Sequence, residues 1–338
     1  MEGPGGPVFV YQLGKACAQG RPGSTPIIRA HMPLIVPFAA PPPALADAVL
    51  PALALPGLQA LLARRRAVRD DGAADDLNAP HERALARAVG LAGADGELPL
   101  AAWSMGRDGL DPGDRVWGLL TPVHWQVGLD EVVVTDPAML DLGEGESRAL
   151  FDAVRPLFED DGFVLLWGAP LRWYAAHERL RHWRAPSLDR SIGQRIDPRA
   201  VDAGHPAARD LRRLQNEVQM LLHAHPLNEA RDSAGRLPVN SVWLSGCGPR
   251  QRPTGDAELD ERLRGPFLAG DWAAWQQAWG ALDAERLRAW PADRSLVLCG
   301  ACDGVTLQPA AASPWQRLKA GLGLGAAPTP AQLLASLR

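Results

Sequence analysis

The chain predicts a fold that interleaves helices and strands, α/β or α+β, and three observations carry that expectation. An amphipathic helix, a polar turn and a buried strand follow one another between Leu211 and Gly248. Two pairs of β-rich runs close on tight turns: 116–127 with 131–135 around Gly128, Leu129 and Asp130, and 296–298 with 305–308 around Asp303 and Gly304. No period of 20–50 residues recurs, which excludes a repeat architecture.

In chain order, residues 1–31 are rich in Gly and Pro without period and predict a disordered extension, with the natural start of the chain at Met32. MPLIVPF then predicts a strand that Pro41, Pro42 and Pro43 close. Leu53, Leu58, Leu61 and Leu62 predict a short helix ending in Arg64, Arg65 and Arg66, cations suited to a helix C-terminus. Residues 70–76 read as an acidic linker. A helix follows, with Asn78 as its cap, Pro80 in its first turn and Gly90 at its end. Residues 144–158 predict a helix, and 163–167 and 172–175 predict strands; 185–208, broken by three prolines, predicts irregular chain.

Leu211, Leu214, Val218, Leu221 and Leu222 form one apolar stripe at helical spacing, which Pro226 ends. A polar run to Gly235 predicts a loop, and 239–244 a buried strand. Helices are expected over 258–263 and 271–282, and two short ones close the chain.

The chain has 338 residues, 46% hydrophobic and 22% charged, with a net charge of -4. That balance describes a globular protein and gives no electrostatic case for nucleic acid or an anionic membrane. Only Lys15 and Lys319 are lysines. The arginines suit phosphate or carboxylate recognition, and a GC-rich coding bias accounts for them equally well. Four cysteines in a chain of this length make no disulfide framework, and no run of about 18 apolar residues spans a membrane, so a cytoplasmic protein is expected. The twelve tryptophans go into cores and the lining of a cleft.

Cys299 and Cys302 form a C-x-x-C at a hairpin corner, not at a helix start, so they are read as small half-buried turn residues. His223 and His225 stand about 200° apart on a helix and cannot share a metal while both are helical. His124 and His177 sit among aromatic residues near strand ends, where either packing or a cleft role fits. His81-Glu82 lacks the second histidine of a zincin, and no P-loop, G-x-G-x-x-G or nucleophile elbow occurs.

HPLNEARDSAGRLPVNSVWLSGCG (225–248) resembles a signature of the archaeal-type cofactor-independent phosphoglycerate mutases: a His-Pro-(Val/Leu)-Asn, an arginine-rich turn, then Pro-x-Asn-x-x-Trp-Leu-x-Gly. LPGLQALLARR (55–65) is similar to that family's early helix. GLDPGDRVWGLLTPV and GEGESRALFDAV resemble the start of its inserted α+β domain, and LDRSIG (188–193) resembles its inter-lobe turn. With RLQNEVQMLLHAHPLNEAR and NSVWLSGCG, the pattern is closer still to the RpfE-type regulatory proteins.

The resemblance implies a diverged alkaline-phosphatase-like α/β core with an inserted α+β domain. The core would run over 32–105 and 249–338, with the insert and its return junction over 106–248. It also implies two clustered metal ions, manganese or magnesium, held by Asp and His. Here the strand that should end in the first Asp offers Pro37 and Phe38, no Asp-x-x-Gly-His exists, and VLCGACDG holds Asp303 without a histidine. The expectation is therefore a regulatory relative without catalytic residues, metal or cofactor, whose partner is a small anionic metabolite or a regulatory protein. His225, Asn228, Arg231, Asn240 and Trp243 would line its inter-lobe cleft, arginine fixing the anion; the asparagines could instead only satisfy backbone groups of the turn. An active metal-dependent mutase or phosphomonoesterase is the alternative.

Overall fold

A computed structural model describes residues 32–128, 131–309 and 327–337. The predicted extension over 1–31, Leu129 and Asp130 of the first hairpin turn, and the first of the two closing helices lie outside the described residues. The fold is mixed α/β, and the described residues form three sheets.

The first sheet is five-stranded, in the order β10 (Glu258–Leu259), β1 (Leu34–Val36), β11 (Leu296–Cys299), β12 (Gly304–Pro309), β2 (Arg65–Asp70). β1 runs parallel to both β10 and β11, and the remaining pairs are antiparallel. Strand alternation sorts its side chains to two faces. Leu34, Val36, Leu296 and Leu298 meet Trp275 and Trp279 on one face. Ile35, Val297 and Cys299 meet Ala84, Leu85 and Val89 on the other. Those partners come from α1 (Pro80–Val89) and α2 (Trp272–Leu282), so the sheet is covered on both sides. We call this unit the core lobe.

Between α1 and β10 the chain leaves to build an inserted lobe. Its main sheet is β6 (Val164–Ala169), β7 (Arg172–Ala176), β3 (Val116–Val123), β9 (Ser241–Pro249), all antiparallel. One face packs on α3 (Glu144–Asp160) and α4 (Ala208–His223) through Leu150, Val154, Leu214 and Val218. The other face packs on the helix Leu100–Arg107, where Met105 meets Trp117 and Tyr174. A small sheet of β4 (Trp125–Val127), β5 (Val132–Val134) and β8 (Arg195–Ile196) completes the lobe.

Several elements depart from the sequence expectation for identifiable reasons. Arg65 and Arg66 belong to β2, not to a helix end. An edge strand tolerates charge, and the ladder to β12 uses only backbone groups. The expected helix over 258–263 is instead β10, whose Glu258 is held by Arg286 (2.6 Å) and Arg294 (3.1 Å). The polar run after Pro226 is a helix, α5 (Pro226–Ser233), because proline at its first position lacks a donor that would have no partner there anyway. Ala79, not Asn78, occupies the cap position of α1, while Glu82 accepts the Ala79 amide at 3.0 Å. The run 116–127 breaks at His124 into strands of two different sheets.

Two long-range ties hold the core lobe around the end of β1. The indoles of Trp275 and Trp279 donate to the carbonyls of Phe38 (3.0 Å) and Ala39 (3.1 Å), fixing the turn that leaves β1. Buried Asp283 accepts the amides of Gly57 (2.9 Å) and Leu58 (2.8 Å), satisfying orphan donors of the helix Pro56–Leu62. A Cβ at Gly57 would come within 2.8 Å of the Arg288 amide nitrogen, so only glycine fits that approach. Trp279→Phe deletes one buried donor and leaves the Ala39 carbonyl unsatisfied. It is expected to cost about 1–3 kcal/mol, read as a lower urea midpoint at unchanged slope.

Candidate functional site

In open α/β sheets, ligands bind in the crevice outside the carboxyl ends of parallel strands. Here that place is reached by Val36, Leu259 and Cys299, and the inserted lobe closes over it. β1 runs into Pro37 and then Phe38, whose backbone is left-handed at φ 55. A bulky residue in that region is strained, and the two tryptophan bonds hold it there. Its ring packs against Phe267 (centroids 4.8 Å apart) and His81 (5.7 Å).

His81 stands in the first turn of α1, and its Nε2 lies 3.3 Å from Oδ2 of Asp189. Asp189 opens the short helix Leu188–Ser191 of the inserted lobe. Arg264, at the start of the core-lobe helix Arg264–Leu268, reaches both inserted-lobe carboxylates. Its Nη2 donates to Asp189 at 2.6 Å, and its Nη1 to Asp136 at 3.1 Å. Next to Asp189, Arg190 crosses in the opposite direction, donating to core-lobe carbonyls of Asp76 (3.0 Å), Ala301 (2.7 Å) and Ala74. Cations of one lobe thus grip anions of the other, and a cation of the second grips carbonyls of the first.

Burial sets the electrostatics. Desolvation alone would push the Asp189 carboxyl up, but the hydrogen bond from His81 and the Arg264 guanidinium outweigh it and hold the group well below the usual carboxylate range. Burial likewise disfavours charge on Arg264, and the two carboxylates overcome this and raise its pKa. His81 is pulled down by desolvation but ends above its ordinary value because of Asp189. Glu82 is raised, chiefly by burial, with His81 and Asn78 opposing.

A pair of metal ions does not fit these residues. The end of β1 carries no carboxylate. Asp260, just past β10, lies 2.8 Å from Arg262 and 3.8 Å from Arg286, and Asp303 lies 3.9 Å from Arg69. Asp136 and Asp189 converge on the Arg264 guanidinium, and His81 is held by Asp189. Among the described residues, no three His, Cys, Asp or Glu side chains converge on a space that could hold a cation.

The residues expected from sequence to bind a ligand lie in the inserted lobe, each with partners of its own. His225 caps α5, its Nδ1 accepting the Leu227 amide (3.2 Å). Asn228 donates to the carbonyls of Leu222 (2.8 Å) and Val239 (2.6 Å) and accepts the Val239 amide (2.9 Å). Arg231 is buried and pairs with Glu146 at 2.6 Å, also donating to the carbonyls of Leu237 and Leu140. Asn240 exchanges two hydrogen bonds with the backbone of Trp125 (2.7 and 2.9 Å). Trp243 donates to the Pro186 carbonyl (3.0 Å) and meets Trp125 edge to face. His225, Asn228 and Arg231 thus stand on α5 or its cap with separate partners, while Asn240, just before β9, and Trp243, in β9, both meet Trp125 of the small sheet.

The other candidates also have local roles. His124 bonds the Pro238 carbonyl (2.9 Å), and His177 accepts the Arg179 amide (2.9 Å) while packing on Phe163. Cys302 stands in the β11–β12 turn, 3.9 Å from Arg190. The sequence reading missed His81, Asp136 and Arg264 as a group; the one signal toward them was the 188–193 turn that carries Asp189.

No family model and no curated protein matches the chain. Among solved structures, it is similar to a cofactor-independent phosphoglycerate mutase from Thermoplasma acidophilum DSM 1728. That similarity has 14% identity and a TM-score of 0.32, over 82% of this chain and 89% of that one. It is also similar to the PH0037 protein from Pyrococcus horikoshii, with 11% identity and a TM-score of 0.44, over 83% of this chain and 88% of that one. The class defined by fold and site is a two-lobed mixed α/β protein whose lobes join through a buried ion cluster.

Two outcomes test the cluster. Asp189→Asn leaves Arg264 and His81 short of their shared partner, and is expected to cost about 3–5 kcal/mol in urea unfolding. The folded pKa of His81 lies above its ordinary 6.5, so its contribution is fully present below pH 6.5 and is lost as pH rises through the folded value. Unfolding midpoints are therefore expected to fall as pH is raised from 6.5, and His81→Gln to flatten that fall.

Proposed function

We propose that this chain is a cytoplasmic, RpfE-type regulatory protein: a phosphoglycerate-mutase-like two-lobed scaffold that binds a ligand or partner and performs no phosphoryl transfer. The observation that carries the reading is the crevice at the end of β1. Mutase chemistry needs carboxylates and histidines arranged around two cations, which stabilise attacking and leaving oxygens together. Phe38 packs against His81 there, and Arg264 takes up Asp136 and Asp189. Loading a metal into that set would bring a second cation against a buried guanidinium, a repulsion of several kcal/mol at short range.

The motifs of 188–193 and 225–248 support the regulatory assignment. Of the residues proposed to bind, Trp243 lines a cavity, and Asn240 holds the backbone of Trp125, which lines the same cavity. His225, Asn228 and Arg231 serve that wall by fixing the turn before β9. A small anionic metabolite is the preferred occupant, and a regulatory protein is the alternative partner.

The test is a direct assay. Purified protein is given 3-phosphoglycerate with manganese or magnesium, and bound metal is measured on the protein as isolated. No 2-phosphoglycerate and no stoichiometric metal are expected. Turnover that chelator abolishes would overturn the reading.

A further inference from the structure

We propose that the inserted lobe pairs with a second copy of this chain along β6. The two strands run antiparallel about a two-fold axis, so that two four-stranded sheets join into one. β6 is an edge of its sheet, bonded to β7 on one side. Among the described residues, no backbone group of Val164–Ala169 bonds to any element but β7. An edge strand turns a row of N–H and C=O groups outward, and that row is a template for another strand.

The other sheet edges are guarded. β2 carries Arg65, Arg66, Arg69 and Asp70, and charge of that kind blunts an edge. β4, β8 and β10 are only two or three residues long. β9 is tied to α4, whose Gln215 donates to the Val242 carbonyl at 3.0 Å. β6 is uncharged: Val164, Leu165, Leu166 and Trp167, then Gly168 and Ala169. Val164, Leu166 and Trp167 are only partly buried. Its one guard is a bulge at Gly168, which ends the regular ladder and leaves 164–167 as the pairable stretch.

The charge on α3 says what the partner is. Glu144, Arg148, Asp152, Arg155 and Glu159 are all exposed and recur at three- and four-residue spacing, so they form one stripe of alternating sign. The stripe runs beside the β6 edge, where the Arg148 guanidinium stands 3.7 Å from the centre of the Trp167 ring. A two-fold axis normal to the sheet lays two copies of α3 antiparallel, side by side. With the axis midway between Asp152 and Arg155, Arg148 of one copy comes opposite Glu159 of the other, and Asp152 opposite Arg155. That point of the helix stands over the middle of β6, because Phe158 packs on Phe163 at one end and Ser147 accepts from Trp167 at the other. One axis therefore serves both the strand ladder and the ion pairs.

Sliding one helix by a turn sets Arg148 against Arg155 and Glu144 against Glu159, so charge selects the register. A partner of uniform charge would meet like charge at every second position, whereas a copy of the same stripe meets none. Backbone pairing and apolar cover supply the affinity, and exposed ion pairs fix register more than strength. So short a ladder makes a small interface, and the dimer is expected at micromolar concentration.

Sedimentation velocity of the full chain, over about a hundredfold range of concentration, tests the pairing. A monomer–dimer equilibrium is expected. Arg148→Glu and Glu159→Arg are each expected to weaken it about tenfold. The double reversal re-forms the pair with its signs exchanged and is expected to restore the dimer to within about threefold. Leu166→Lys puts a charge on the edge and is expected to abolish the dimer. The reversals lie on an exposed helix face and decide the matter if Leu166→Lys does not fold. A monomer at every concentration would overturn the proposal; residues 1–31 lying along β6 of their own chain would give that result. So would a dimer indifferent to the single reversals, or a double reversal no better than the worse single variant. These readouts concern the inserted lobe and stand whether or not the protein turns over phosphoglycerate.

Discussion

The fork of Arg264 between Asp136 and Asp189 is the interaction on which the relation between the lobes depends. A buried carboxylate is tolerable only with a cation close by, and Asp189 receives two, Arg264 and His81, from the opposite lobe. Neither lobe could bury its share of the cluster alone without leaving uncompensated charge. The requirement for neutrality thus acts beside the apolar packing of the helix Leu100–Arg107, which touches both sheets, in setting how the inserted lobe sits on the core. Arg190 reinforces it by satisfying core carbonyls that the junction would otherwise bury.

The same junction explains the strained turn after β1. Phe38 is held in the left-handed region by tryptophans on α2, which place its ring against His81 and Phe267. The ring excludes water from one side of the cluster, and a lower local dielectric strengthens every ion pair in it. Aromatic packing and charge pairing are therefore one device, and they occupy the strand-end crevice that α/β folds commonly use for ligands.

Much of the architecture was legible because it rests on local pattern. The leucine stripe of α4, the hairpin of β11 and β12 and the strand β1 follow from spacing and turn chemistry alone. β2 and β10 were not legible, since their sequences are polar and long-range partners form them: Arg65–Asp70 is a strand only because β12 lies beside it. The cluster shows the same limit more sharply. His81, Asp136, Asp189 and Arg264 are far apart in sequence, and no spacing joins them; only the 188–193 turn pointed there. The turn 225–240 joins α4 to β9 within the inserted lobe. The hydrogen bonds of Asn228 and Asn240 to backbone groups are of the kind that turn chemistry alone predicts.

A double-mutant cycle between Arg264→Met and Asp189→Asn, read as urea unfolding free energies, tests this account most directly. If the fork joins the lobes, the two substitutions couple by about 2 kcal/mol or more, the double variant being far less damaged than the sum of the singles. Additivity within about 0.5 kcal/mol would contradict it, showing that the two side chains contribute independently and that something other than charge neutralisation holds the lobes together.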